Sequence, residues 1–324
     1  MNRFLFRLIS AYKFGGFKYL LVAVQDVLCK TKNRRKMTRH IISTCGESDI
    51  ESKAAAYFGM ETGQHINYRE PKRFNEKIQW LMIHEATIER ANLTDKYLVR
   101  AFVERKLGAE CLIELLGAWD SFEEIDFKNL PEQFVLKCNH GSGMNVVIKS
   151  KANCDYGRLK KTFDEWMKTN FAYNNFELHY KNIKPRIIAE KYIEELDGNL
   201  FDYKVHCFNG EPKFIQVIGN RDLEAHSAKQ LIYDFEWKQL PWSFGDYPKY
   251  SSDLARPSVL EKLYDYSKKL SDGFSYVRVD FYIINDSVLF GEMTFTPNSG
   301  MYIYNQDFTE EVDYMLGEMI DLEM

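Results

Sequence analysis

Helical spacing opens the chain. Phe4, Leu5, Leu8, Ile9 and Tyr12 recur every three or four positions with Arg3 and Arg7 between them, which predicts an amphipathic helix. Such a helix either lies on a bilayer surface or packs on the body of the protein. Residues 30–73 read as polar and irregular, with a basic connector over 30–39. Residues 74–80 and 97–107 read as helices, the second with Leu98, Ala101 and Phe102 on one face. A short apolar stretch (111–116) and an acidic loop lead to Pro131.

From there the period shortens to that of strands. Residues 134–138 are β-rich, a glycine-containing turn follows at 139–144, and 146–149 reads as the returning strand. A helix is expected over 155–169 and a strand over 187–193. Residues 201–208 and 212–218 form a predicted hairpin about Asn209-Gly210, a strong turn signal. A helix over 257–270 precedes a second hairpin, 276–284 with 287–293, turned at Asn285-Asp286. An amphipathic helix closes the chain from residue 308. No internal repeat is present. The fold class is α+β, with a basic segment 1–73, a helical region 74–130, and two sheet-containing lobes at 131–194 and 195–324.

Composition narrows the class. The 324 residues are 45% apolar and 28% charged, the balance of an ordinary globular protein of one large or two smaller domains. The aromatic content of 15% is high and is read chiefly as core and interface packing. Residues 1–40 carry ten basic side chains against one acidic, leaving 33 basic and 46 acidic for the rest. A basic tail on an acidic body points to an anionic surface as partner. Nucleic acid is excluded, because the basic excess stops at residue 40. The six cysteines form no C-x-x-C pair, which fits a reducing compartment. No run reaches the ~18 apolar residues of a spanning helix, and charges interrupt every candidate signal peptide. The expected location is cytoplasmic, with loose attachment to the inner face of the membrane through residues 1–40.

Four constellations can carry chemistry. In Lys137-Cys-Asn-His-Gly-Ser-Gly143 a lysine ends a strand, and Gly141 and Gly143 let backbone N–H groups approach phosphate oxygens. It is neither a Walker A sequence nor a dinucleotide fingerprint, and by itself it is equally a plain hairpin turn. Arg278 and Asp280 share one strand face, and Glu292 on the partner strand can join them. Two carboxylates and an arginine suit Mg²⁺ bound with phosphate, or form a cross-strand salt bridge. Glu190-Lys-Tyr-Ile-Glu194 runs from a strand end into a loop whose backbone edge can read an adenine, or is a charged strand terminus. Asp202, Lys204 and His206 share a face, where the lysine serves a terminal phosphate or is merely paired.

Their order is that of the ATP-grasp superfamily. Phe74-Asn-Glu-Lys-Ile-Gln-Trp80, Asp95-Lys96, the Lys137–Gly143 loop, Asp202-Tyr-Lys204 with Phe208-Asn-Gly210, and Gly291-Glu-Met-Thr-Phe-Thr-Pro297 with Ser299-Gly300 together resemble the TupA-like ATP-grasp family. That family is associated with teichuronopeptide and capsular polysaccharide biosynthesis. The resemblance covers the chain from residue 74 to its end. It implies an ATP-grasp fold, two α+β lobes gripping ATP behind a helical N-terminal extension. Lys137 would contact the α- and β-phosphates, and His140, Gly141, Ser142 and Gly143 would form the loop over them. Glu190, Lys191, Tyr192 and Ile193 would hold adenine, with Glu195 or Asp197 on the ribose. Lys204 and Arg278 would face the terminal phosphate, and Asp280 and Glu292 would bind Mg²⁺. Where better-known members carry Glu-x-Asn, this chain has Thr294, a poorer cation ligand, so Asn298 is the substitute candidate for a second metal.

The activity this implies is an ATP-dependent carboxylate–amine ligase acting through an acyl phosphate. Its partners would be ATP, an amino acid or other amine, and a uronic-acid-containing saccharide. The main rival is a glycosyltransferase of capsule or O-antigen synthesis, against which stands the lack of any D-x-D pair. A membrane-docked binding protein with a decayed ATP site is disfavoured by the joint presence of Lys137, Arg278, Asp280 and Glu292.

Overall fold

The computed structural model describes residues 3–29, 33–193, 201–222, 227–245 and 247–322. The chain forms two compact units. One comprises residues 1–87, 171–181 and 296–320, and the other comprises 88–170, 182–295 and 321–324.

The first unit is helical. Its Arg3–Cys29 segment is two helical stretches joined at Gly16, whose φ of 70° no helix interior adopts. Gly15 is needed beside it, because a Cβ there would lie 2.6 Å from Tyr19 Cβ. Lys53 Nζ donates to Phe14 O at 2.7 Å, so the carbonyl end of the first stretch meets a cation. One face packs on the Ile50–Thr62 helix, with Phe14 and Tyr19 fully buried. The opposite face leaves Phe4, Leu5, Tyr12, Phe17, Leu21 and Val24 exposed.

Residues 30–73 correct the sequence reading, since they contain the helices Asn33–Ser43 and Ile50–Thr62. The first buries only Thr38 and Ile42, too few apolar positions to show a period. The second buries Ala54 and Ala56 to Met60 in near-continuous succession, so the polar contrast that reveals a helix is lost. The Phe74–His84 helix is tied to the C-terminal segment through Asn75. Its backbone N–H donates to Asp313 Oδ1 at 2.8 Å, and its side chain accepts from Tyr302 N at 3.0 Å and donates to Tyr302 O at 2.9 Å. Asp313 lies on the closing Glu310–Glu318 helix.

The second unit carries two antiparallel sheets. The strands are β1 (Leu115–Trp119), β2 (Phe134–Cys138), β3 (Asn145–Ile148), β4 (Ile187–Lys191), β5 (Asp202–Phe208), β6 (Glu211–Asp222), β7 (Ser227–Tyr233), β8 (Tyr276–Ile284) and β9 (Ser287–Thr294). The smaller sheet has the order β1-β4-β2-β3 and the larger β7-β6-β5-β8-β9. Both expected hairpins form. Asn209 and Gly210, and Asn285 and Asp286, all have positive φ, the conformation that matches a two-residue turn to strand twist.

Two strands escape the pattern reading. β1 is half-buried at every position, so it shows no alternation, and the Trp119 ring lies over Gly117. β7 is buried on both faces from Gln230 to Tyr233, which erases the period of two. The small sheet thus takes in residues before 131, and residues 296–320 group with the N-terminal helices.

On the large sheet, Tyr203, Val205, Cys207, Val277, Val279 and Phe281 face a core completed by the Leu260–Ser271 helix through Leu263, Tyr266 and Leu270. Asp202, Lys204, His206, Arg278 and Asp280, at alternate positions, face the other way and are polar.

In the first unit Glu177 is buried, and its Oε1 accepts from Thr296 Oγ1 at 2.6 Å. Burial pushes its carboxyl up to about 7. The folded state therefore holds a proton that the unfolded state releases, so stability is full below the unfolded value near 4.5 and falls as pH rises towards 7. The loss is roughly 1.4 kcal/mol for each pH unit between the two values. Urea midpoints at pH 5 and pH 8 should differ in that direction, and Glu177→Gln should narrow the gap by raising the pH 8 midpoint.

Candidate active site

The register of the large sheet assembles the first half of the site. Lys204 on β5 is paired with Asp280 on β8, and Asp280 with Glu292 on β9. Arg278 is paired with His206 on one side and Thr294 on the other. Directly paired residues project from the same face, so these side chains form two adjacent rows on the polar side of the sheet.

Their contacts are dense. The Lys204 ammonium contacts Asp280 Oδ2, and it lies 2.9 Å from Asp202 Oδ2. Arg278 grips Asp280 with both prongs, Nε to Oδ1 at 2.7 Å and Nη2 to Oδ2 at 2.8 Å. Arg278 Nη2 also reaches Thr294 Oγ1 at 3.1 Å and Glu292 Oε1 at 3.4 Å. Burial works to raise the Asp280 carboxyl, but Arg278 and Lys204 outweigh it and hold the group below the usual carboxylate range. Loss of solvent likewise works to raise Glu292, and Lys96, with Lys204 and Arg278, outweighs it. Both carboxylates are ionised at neutral pH. Glu292 is the open one, its side chain 36% exposed against 3% for Asp280. Behind them His206 is fully buried, accepting or donating at Nδ1 with Tyr276 OH at 2.8 Å. Burial, with Arg278 and Lys204 nearby, drives its imidazole well down, so it stays neutral.

The small sheet supplies the second half. Lys137 Nζ donates to Glu190 Oε2 at 2.5 Å, and Arg100 Nη1 to Glu190 Oε1 at 3.2 Å. The Glu190 side chain is thus held by two cations. Tyr192 and Ile193 follow the end of β4 and are half-buried, while Lys191 is exposed. In the glycine loop Ser142 and Gly143 are exposed and Gly141 is buried. His140 is turned inwards, its ring nitrogens at 3.2 Å from Asn139 Oδ1 and from Trp166 O. Burial lowers its imidazole, so the ring is a neutral anchor of the loop. Asp197 and Glu195, the ribose candidates, lie outside the described residues. Asn298, the substitute metal ligand, belongs to the first unit, where it is exposed in a turn with φ of 48°.

Lys96 joins the two halves, and the sequence reading gave it no role. Its Nζ donates to Gly141 O at 2.9 Å and lies 3.6 Å from Glu292 Oε2. One ammonium therefore touches both the glycine loop and the open carboxylate. Asp95 fixes this geometry. Its Oδ1 accepts from Tyr97 N and Leu98 N at 2.8 and 3.2 Å, ahead of the Val99–Leu107 helix. Its Oδ2 accepts from Asn139 Nδ2 at 2.8 Å. Asn139 in turn receives Arg186 N at 2.7 Å. Asp95-Lys96 was visible as a motif, but the chain distance of about 45 residues to the loop hides the contact.

The donor set suits a hard divalent cation. No group of three or more His, Cys, Asp and Glu able to hold a metal occurs among the described residues. Paired ionised carboxylates at Asp280 and Glu292 nevertheless match Mg²⁺, which is held by one or two carboxylates, with phosphate oxygens and water completing its shell. Thr294 Oγ1 donates to Glu292 Oε1 at 3.3 Å, so the threonine orients the carboxylate.

A family model described as TupA-like ATPgrasp matches residues 76–321. Among solved structures, the chain is similar to D-alanine–D-alanine ligase from Bacillus anthracis complexed with ATP, at 13% identity and a TM-score of 0.36, over 62% of this chain and 53% of that one. It is also similar to D-alanine–D-alanine ligase from Helicobacter pylori (17%, TM-score 0.39, 77% and 70%). A third likeness is to biotin carboxylase from Campylobacter jejuni (15%, TM-score 0.37, 72% and 47%). The chain spans about half the length of the first of these. No curated protein matches the sequence.

Lys204 is the shared counter-ion of Asp202 and Asp280. Lys204→Met leaves that buried acidic pair short of a charge and should lower stability by about 3 kcal/mol, read as a drop in the urea midpoint. The exposed Lys191→Met, whose ion pair with Glu114 is on the surface, should change it by less than about 1 kcal/mol.

Proposed function

The chain belongs to the TupA-like ATP-grasp family, and from that premise we propose that it is an ATP-dependent carboxylate–amine ligase of surface polysaccharide assembly, joining an amino acid to a uronic acid carboxylate. The observation that carries the reading is the convergence of Lys96 on both Gly141 O and Glu292. That convergence supports one anionic ligand spanning the glycine loop of one sheet and the carboxylate row of the other.

The reaction has two steps. A substrate carboxylate oxygen attacks the terminal phosphorus of ATP, the bond to ADP breaks, and an acyl phosphate forms. The amine then attacks the acyl carbon, phosphate leaves, the amide forms and the amine gives up a proton. Four cations, Lys96, Lys137, Lys204 and Arg278, meet the phosphate charge, a term that weighs heavily in phosphoryl transfer. Asp280 and Glu292 would hold Mg²⁺, whose contribution when bound is to neutralise phosphate charge and orient the transferring group. Lys204 and Arg278 keep Asp280 ionised for that purpose. No side-chain nucleophile is needed. Cys138 is fully buried with its thiol pushed up to about 12 by burial, and His140 is spent on the loop.

Attachment to an anionic membrane is the second part of the reading. No helix among the described residues is long and apolar enough to cross a membrane. The exposed Phe17, Leu21 and Val24 recur at i, i+4 and i+7, with Lys13, Lys18, Arg35 and Lys36 exposed nearby in the chain. That combination of apolar stripe and basic charge supports interfacial binding.

Three experiments test these parts. Calorimetric titration of a non-hydrolysable ATP analogue with Mg²⁺ should saturate in the wild type and weaken at least tenfold in Lys137→Ala. Glu292→Gln should abolish Mg²⁺-dependent ADP formation with amino acid and uronic acid substrates, and a fully active variant sinks the ligase reading. The full chain should sediment with vesicles containing phosphatidylglycerol in low salt, and Phe17→Ser with Leu21→Ser should reduce the bound fraction severalfold. An unchanged fraction refutes the attachment.

A further inference from the structure

The helical unit contains a cavity of about 460 Å³ that the ligase chemistry does not use. Its volume falls in the range of ~300–1,000 Å³ typical of small-molecule sites. Three stretches of chain build it: the turn over 63–67, the start of the Phe74–His84 helix, and the C-terminal segment from Tyr304 to Tyr314. All three lie in the first compact unit.

One wall is polar and fixed. Arg73 and Glu76, both under 10% exposed, pair at 2.8 Å. Glu76 Oε2 accepts from Lys72 N and Arg73 N at 3.0 and 3.1 Å. Arg73 Nη1 donates to Tyr304 OH at 2.9 Å, and Tyr304 OH donates to Asp313 Oδ2 at 2.8 Å. A buried ion pair with its remaining hydrogen bonds met is a rigid surface, the kind of support that holds a binding site in shape. The opposite wall is open. Glu310 and Tyr314 stand one turn apart on the last helix and share a face, and Tyr314 is 42% exposed.

The chemistry of this lining selects a ligand class. A flat, accessible phenol ring offers stacking to the C–H face of a pyranose. The carboxylate of Glu310 accepts from hydroxyl groups, and the exposed Asn67, whose Oδ1 already accepts from Arg69 N, offers its amide Nδ2 as a donor. The charge sets the rest. Among the described residues no lysine lines the cavity, and its one arginine is already neutralised by Glu76, while Glu310 adds a further negative charge. A sugar carboxylate would meet Glu310, with only the His65 imidazole as a nitrogen base in the lining and the nearby Lys72 already paired with Glu70 at 2.9 Å, whereas an amine would find Glu310.

We propose that this cavity is a saccharide site for an uncharged or amine-bearing pyranose unit, distinct from the ATP site. It stands independently of the ligase reading, because it uses none of the same residues.

The test is titration of the full chain with four probes followed by calorimetry and saturation-transfer NMR: the methyl glycosides of glucosamine, N-acetylglucosamine, glucose and glucuronic acid. At least one of the first three should bind at least tenfold more tightly than the glucuronide. Tyr314→Ala should weaken that binding at least tenfold, Tyr314→Phe should retain it, and the affinity of either variant for the Mg²⁺–ATP analogue should be unchanged. Absence of binding by all four glycosides, equal binding of the glucuronide, or indifference to Tyr314→Ala overturns the proposal. Loss of ATP-analogue binding in the wild type would instead strike the ligase reading and leave this one standing.

Discussion

A single buried carboxylate organises the polar face of the large sheet. Asp280 is held from one side by the Lys204 ammonium and from the other by both prongs of Arg278. An ionised acid in that position is costly without partners, and two cations without the acid would repel one another. Each charge is therefore tolerated only because the others are present. Strand register is what makes the set possible. Lys204, Asp280 and Glu292 sit directly across from one another on β5, β8 and β9, so a slip of one residue on any strand would turn its member into the apolar core on the other face. The core thereby protects the site, since Val205, Val279 and Met293 are fully buried and cannot trade places with their polar neighbours.

The second sheet contributes charge of the same kind in a looser form. Lys137 and Arg100 share Glu190, and the glycine loop is pinned from below by Asn139 and His140 rather than by its own turn. Only Ser142 and Gly143 then face solvent. A rigid base under a short exposed tip is how a backbone loop can present N–H groups to phosphate without losing much order on binding. Lys96 sits where the two sheets' polar groups meet, and Asp95 holds it there by fixing the helix start and the loop together.

Much of this was legible from residue spacing. Alternation on β5 placed Asp202, Lys204 and His206 on one face, and the Asn285-Asp286 turn set the hairpin that brings Arg278, Asp280 and Glu292 together. Both inferences need only the period of a strand and the geometry of a two-residue turn. Other elements were hidden for physical reasons. The Ile50–Thr62 helix and β7 are buried nearly all round, so no polar face marks their period. His140 reads in sequence as a loop residue over the phosphates, yet its ring points inwards to Trp166, a choice made by a helix that follows it in the chain.

By itself, then, the sequence determined the α+β class, the two hairpins, the acidic body with a basic N-terminal segment, and the family through the order of its motifs. These depend on local periodicity, on turn chemistry and on summed charge, all of which act over a few residues or need no geometry. Only the tertiary structure decided that Lys96 belongs to the site, that Glu190 is a counter-ion of Lys137 and Arg100, and that the N-terminal helical segment both packs and leaves an apolar stripe. It also showed the cavity lined by Arg73, Glu76 and Tyr314. Each of those rests on contacts between residues tens or hundreds of positions apart. Such contacts are set by how helices and sheets pack, a property of the whole chain that no local pattern encodes.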